Sequence, residues 1–193
     1  MLYNGQEVGE PASGAEGFSG DDGRSSIFDY GALPELQKWV NGSRFDGGLL
    51  SPSQVKLRER YRRLLLGCDQ AAFRNGGFYG LNHANLNNPD FGRIGEETAS
   101  GHWCLAFLRS EQRQKGQTIL VVVNLHPEVT MPDLRILVPT DALAWADCSY
   151  GRLRFLDLLG SGWEGEAEAL TLPDQGLLLG KLGPGEARYL AVS

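Results

Sequence analysis

The chain has 193 residues, of which 41% are hydrophobic and 22% charged, and its formal net charge is −6. That length allows one or two domains with a proper core. The acidic balance argues against nonspecific nucleic-acid binding, which needs a concentrated basic face, and no apolar run approaches the roughly 20 residues of a membrane span. The densest basic run, Arg58, Arg60, Arg62 and Arg63, reads as a solvated helix face. Three cysteines, Cys68, Cys104 and Cys148, are odd in number and widely spaced. They indicate buried free thiols rather than a disulfide framework or a zinc ribbon, and lean towards a reducing compartment.

In chain order, Met1 to Pro11 reads as a short strand at Leu2-Tyr3 running into a polar turn. Neither a signal-peptide pattern nor a disordered lead-in is visible there. Pro11 to Ser26 is rich in Gly, Ser, Ala and Asp and is expected to be a loop, followed by a brief apolar return at Ile27-Phe28-Asp29-Tyr30. Pro34 opens a short helix through Val40, with Leu36, Trp39 and Val40 on one side and Asn41-Gly42 as its stop. A longer helix starts at Ser51, with Pro52 at its first position and Gln54 completing a capping box. Its apolar stripe is Leu57, Tyr61, Leu64, Leu65 and Cys68, and Gly67 allows it to end.

Beyond Gly76-Gly77 the period becomes that of strands. Strands are expected at 78–81, 103–108, 118–125, 134–138, 153–158, 170–172, 177–182 and 189–192, with a long Asn-rich polar excursion over 82–101. The central one, Thr118 to Leu125, holds five consecutive aliphatics, so it reads as a strand buried on both faces. Trp103, Leu105 and Phe107 are expected on one face of their strand, in the core, with Cys104, Ala106 and Leu108 on the other. The fold class is mainly β: an antiparallel β-sandwich over 76–193, preceded over 1–75 by a loop-rich segment with two helices.

Few motifs in the chain carry chemistry. Gly160-Ser161-Gly162-Trp163-Glu164-Gly165 has the letters of a dinucleotide fingerprint, but a strand rather than a helix is expected after it, so a glycine-rich hairpin is the reading. His83, His102 and His126 lack ligand spacing, and Asp21-Asp22-Gly23 is a polar turn. No serine sits in a nucleophile elbow, and Asn41-Gly42-Ser43 is a glycosylation sequon only in a secreted eukaryotic chain. No metal site or cofactor is indicated. Exposed aromatics could stack on sugars. Of Trp103, Trp145 and Trp163, the last, in a Gly-rich turn, is the candidate for exposure.

The opening segments carry a resemblance. Asn4-Gly5-Gln6-Glu7-Val8-Gly9-Glu10-Pro11 is similar to the eighth barrel strand and following turn of the alpha-amylase family of glycoside hydrolases. The likeness continues through Gly17 to Arg24, Ser26 to Tyr30, Pro34 to Gly42, and Leu57-Arg58 with Tyr61 to Leu65, about the first 80 residues in all. It implies that 1–75 is the end of a (β/α)8 barrel and that 76–193 is the all-β C-terminal domain. Such enzymes act on α-glucans with a nucleophilic carboxylate, an acid and an assisting aspartate. All three lie in earlier barrel strands, so no position here inherits a catalytic role. The resemblance further implies a missing N-terminal barrel as partner. It sets Gln6 and Glu7 either on the rim of the active-site cleft or in a structural role holding the loop that leaves the barrel. A free-standing carbohydrate-binding module is the alternative.

Overall fold

A computed structural model describes residues 4–10, 33–112 and 116–193. The Leu2-Tyr3 strand, the Pro11 to Ser26 loop and the Ile27 to Tyr30 return lie outside the described residues. The chain forms two compact units, Met1–Leu65 and Leu66–Ser193, so the division falls inside the second long helix rather than at Gly76, where the sequence changes period.

In the first unit, helix α1 covers Pro34–Val40 and stops at Asn41, whose φ of 46° is left-handed. Helix α2 covers Pro52–Cys68 and opens with the expected capping box: Ser51 N–H donates to Gln54 Oε1 at 3.0 Å and Gln54 N–H to Ser51 Oγ at 3.3 Å. Its stripe is narrower than the sequence implied. Leu57, Tyr61 and Leu64 are half-buried, but Leu65 and Cys68 are exposed, because the next position on that line is Gly67, which is buried. The basic run is tied up locally. Glu59 accepts from Arg62 and Arg63, which hold its carboxyl down at about 2, and the Arg58 guanidinium lies 4.8 Å from the centre of the Trp39 ring.

The second unit is mainly antiparallel sheet. Helix α3 (Ala71–Asn75), which the sequence did not signal, leads into β1 (Gly77–Gly80), β2 (Cys104–Ser110), β3 (Thr118–Asn124) and β4 (Met131–Ile136). Helix α4 (Thr140–Trp145), also unforeseen, is followed by β5 (Arg152–Asp157), β6 (Glu164–Glu168), β7 (Leu177–Leu182) and β8 (Ala187–Val192). Six strands form one sheet in the order β1-β2-β3-β8-β5-β6, and β4 pairs with β7 in a second. Residues 169–171, overlapping the strand expected at 170–172, form a 3-10 turn, and the strand that pairs with β5 is β6. The Gly160 to Gly165 run lies in the β5–β6 hairpin. The strand expected at 134–138 begins earlier, at Met131. The β4–β7 register slips between Met131 and Arg135, opposite Gly180, whose φ of +69° gives the left-handed backbone of a bulge.

β3 is the strand around which this unit packs. It is hydrogen-bonded to β2 on one side and β8 on the other. Leu120 and Val122 enter the main core with Leu134, Ile136, Phe155 and Leu190, while Ile119 and Val121 pack on the opposite face beneath Ala72 of α3. Both ends of β3 are buried polar residues with partners: the Thr118 and Ser110 hydroxyls lie 2.9 Å apart, and the Asn124 amide donates to the carbonyls of Val129, Leu182 and Gly183. In β2 the core face is Cys104, Ala106 and Leu108, not the face of Leu105 and Phe107 as expected. Trp103 precedes the strand, escapes its alternation and still packs on the main core.

An aspartate at Val122 has no partner in that core, and its burial costs several kcal/mol against a total stability of roughly 5–15 kcal/mol. Val122→Asp is therefore expected to abolish the cooperative thermal transition, followed by circular dichroism. A midpoint close to the parent's would show that β3 does not hold the core.

Candidate functional site

Gln6 and Glu7 lie on a single 3-10 turn, Gln6–Val8, between Gly5 and Gly9, both left-handed at φ 82° and 75°. Gln6 is exposed and Glu7 half-buried. Glu10 and Gln54 tie this turn to its unit, a role the sequence did not assign to either. The Glu10 carboxylate accepts the backbone N–H groups of Glu35 (2.8 Å) and Leu36 (3.0 Å) at the start of α1, an anion at a helix N-terminus. Gln54 donates to the Val8 carbonyl at 3.0 Å and to Glu35 Oε2 at 2.5 Å. Lys38, also on Glu35, lowers that carboxyl below its usual range.

The tryptophans differ from one another. Trp163 is half-buried, packed on the core cluster, with the Arg188 guanidinium 5.9 Å from its ring centre. A Cβ on Gly165 would come within 2.6 Å of its ring, so one side of the indole lies against backbone. Trp145 sits at the end of α4 with Tyr79, ring centres 5.5 Å apart. Trp103 lies between two of the three histidines. His102 stacks on it at 4.6 Å and 22°, and His126 meets it at 4.5 Å and 59°. The His126 Nδ1 accepts the backbone N–H of Glu128 (3.0 Å) and Val129 (2.8 Å), which fixes the proton on Nε2 and shapes the 126–129 turn.

Next to this row runs a groove of about 410 Å³ between residues 89–95 and 129–134. Its polar side chains are Asp90, Arg93, Thr130 and Asp133, and Ile94 and Pro132 supply apolar wall. Arg135 lies 3.6 Å from Asp90, and Arg93 Nε donates to Ser100 Oγ at 3.1 Å. Gly92 forms part of the wall with φ +63°, and a Cβ there would come within 2.7 Å of Cys104 Sγ and 2.9 Å of Met131 Sδ, so only glycine fits. Burial pushes the Cys104 thiol up to about 12, so it remains a thiol, donating to Met131 Sδ at 3.1 Å.

The long Asn-rich segment owes its order to buried amides. Asn85 is fully buried; its amide donates to the carbonyls of Leu81 (3.0 Å) and Leu137 (2.9 Å), and its oxygen accepts from the backbone of Leu137 (2.8 Å) and the amide of Asn88 (2.9 Å). Asn88 also donates to the Arg135 carbonyl at 3.0 Å and accepts the Asp90 N–H at 3.1 Å. Asn82 donates to the Gly101 and Cys104 carbonyls and accepts from Ala106. The 82–101 segment thus pairs with β2 and β4 largely through side chains, with one backbone bond from the Arg135 N–H to the Asp90 carbonyl at 2.9 Å.

Among the described residues there is no cluster of three or more His, Cys, Asp or Glu that could hold a metal ion, and no helix is long and apolar enough to cross a membrane. Protein-family models and curated proteins give no match to the chain.

Two outcomes are expected. Asn85→Ala leaves the Leu137 N–H and C=O without the side-chain amide and takes the acceptor from Asn88, which should cost about 2–4 kcal/mol, measured by urea unfolding; a loss below about 0.5 kcal/mol would mean that water replaces the amide at little cost. The expectation that all three thiols are buried holds for Cys104 alone: Cys68 is exposed and Cys148 half-buried. A maleimide added to the native protein should label Cys68 first and Cys104 only on unfolding, as read by peptide mass spectrometry. Fast native labelling of Cys104 would contradict its burial.

Proposed function

We propose that the chain is the C-terminal part of an alpha-amylase-like enzyme acting on α-glucans, with an end-of-barrel segment over 1–75 and a β-sandwich domain that braces the missing barrel. The observation that carries this reading is the ordered series of alpha-amylase-like segments from Asn4 to Leu65, ahead of an all-antiparallel second unit. Two sheets about one core are what a sandwich of that type requires. The outer face of the six-stranded sheet also suits a bracing role. Phe78 and Leu105 are 58% and 38% exposed, and the Phe78 and Phe107 rings lie 5.0 Å apart, leaving apolar surface that a larger assembly would cover.

In this reading the carboxylates that break or transfer the glucosidic bond belong to the barrel. Gln6 and Glu7 stand at the cleft rim or hold the chain as it leaves the barrel. The 193-residue chain by itself is then inactive. A carbohydrate-binding module working alone is the second reading, favoured by the Trp103 row and the groove beside it.

The coding sequence upstream of Met1 tests the first reading directly, since a barrel needs about 200 residues or more of alternating βα pattern. The purified chain should release no reducing sugar from soluble starch or glycogen, whereas the product of the extended reading frame should. Turnover that copurifies with the 193-residue chain and disappears in Glu7→Gln would overturn the reading.

A further inference from the structure

We propose that the groove between residues 89–95 and 129–134 is a binding site for a short α-glucan segment. The choice of an α-linked glucan rests on the function proposed above; the preference for a neutral polyhydroxy ligand rests on the groove itself.

Three properties of the groove point that way. Its charges are mixed. Asp90 and Asp133 are set against Arg93 and the neighbouring Arg135, and Asp90 already has Arg135 at 3.6 Å. Such a lining has no net field to select a phosphate or a bare cation. It offers acceptors and planar donors side by side, which matches vicinal hydroxyls that must each donate and accept. Between these groups Ile94, Pro132 and Val129 present apolar wall for the C–H faces of a pyranose ring. The volume of about 410 Å³ falls in the range of small-ligand sites and leaves room for a short oligosaccharide.

The groove is also fixed in advance of binding. Its first wall follows Asn88, which is held by Asn85 and the Arg135 carbonyl, and its Arg93 is held by Ser100, whose hydroxyl donates to the Asn88 carbonyl at 2.5 Å. Its second wall begins at Val129, whose N–H is held by His126. Long loops ordered to this degree in a compact domain usually serve a function, and a rigid site avoids the entropy of ordering its side chains on binding. The His126–Trp103–His102 row continues from the second wall through His126, so a longer chain could extend along rings.

The test titrates maltoheptaose into the 193-residue chain by isotope-edited NMR, with cellohexaose as the β-linked comparison. Shifts are expected at the amides of 90–95 and 129–134, with weak affinity. Asp133→Ala, at an exposed groove residue, should weaken binding by about fivefold, the loss of roughly one hydrogen bond, at an unchanged melting temperature. Arg93→Ala should do the same, and where it also lowers stability the Asp133 variant decides. No shifts with maltoheptaose, or shifts confined to Trp163 and its neighbours, would overturn the groove, as would an affinity that neither variant changes. Binding of cellohexaose as tight as maltoheptaose would overturn the α-glucan assignment. Each of these results leaves the bracing role untouched, because that role is tested by the upstream coding sequence.

Discussion

Every buried backbone N–H and C=O must find a partner, and the architecture of the second unit follows from how that requirement is met where strands run out. Within the six-stranded sheet the ladders meet it. At the margins it falls to four asparagine amides, each able to donate and accept at once. Asn82 closes the approach to β2, Asn85 and Asn88 pair with the backbone at the end of β4, and Asn124 ties the end of β3 to the end of β7. The 82–101 segment can therefore run across the sheet ends without a strand of its own. The groove wall, the glycine at 92 and the placement of Arg93 all depend on that attachment.

The strands themselves were legible because their signal is apolar alternation. β3 announces itself by five aliphatics in a row, and its neighbours on both sides and both faces follow from that. The capping box at Ser51 and the left-handed stop at Asn41 were equally readable, since they are local chemistry. Where the sequence misled, a long-range partner was responsible. Trp103 was assigned to the face of Leu105 and Phe107, but it lies one residue before β2 and turns independently of it. The 170–172 segment has strand composition but forms a 3-10 turn, because β5 takes the acidic Glu164–Glu168 as its partner, where Arg152 and Arg154 face Glu166 and Glu164. Helices α3 and α4 are too short for a periodic signal to emerge.

The candidate site was the least legible part. Polar residues in a loop look alike whether they are exposed or buried, since composition reports hydrophobicity and not satisfied hydrogen bonds. Asn85 and Asn88 in a run of asparagines gave no hint that they are buried while Asn87 beside them is exposed. His102 and His126 are 24 positions apart and share only a tryptophan. Glu10 was visible only as part of a resemblance, not as the anion that caps α1. A pattern such as Asn-x-x-Asn-x-x-Asn in a long loop, here Asn82, Asn85 and Asn88, is the one signal that could have flagged the amide network in advance.

Native-state hydrogen exchange at the Leu137 amide distinguishes a buried asparagine that replaces strand pairing from one that merely fills a loop. That N–H donates to the Asn85 side chain and not to a ladder. If buried amides substitute for strand pairing, it opens only with the unit as a whole and exchanges at the rate of the β3 amides Leu120 to Val122. Exchange at Leu137 orders of magnitude faster than in β3, independent of global stability, would show that the Asn85 side chain does not stand in for a ladder.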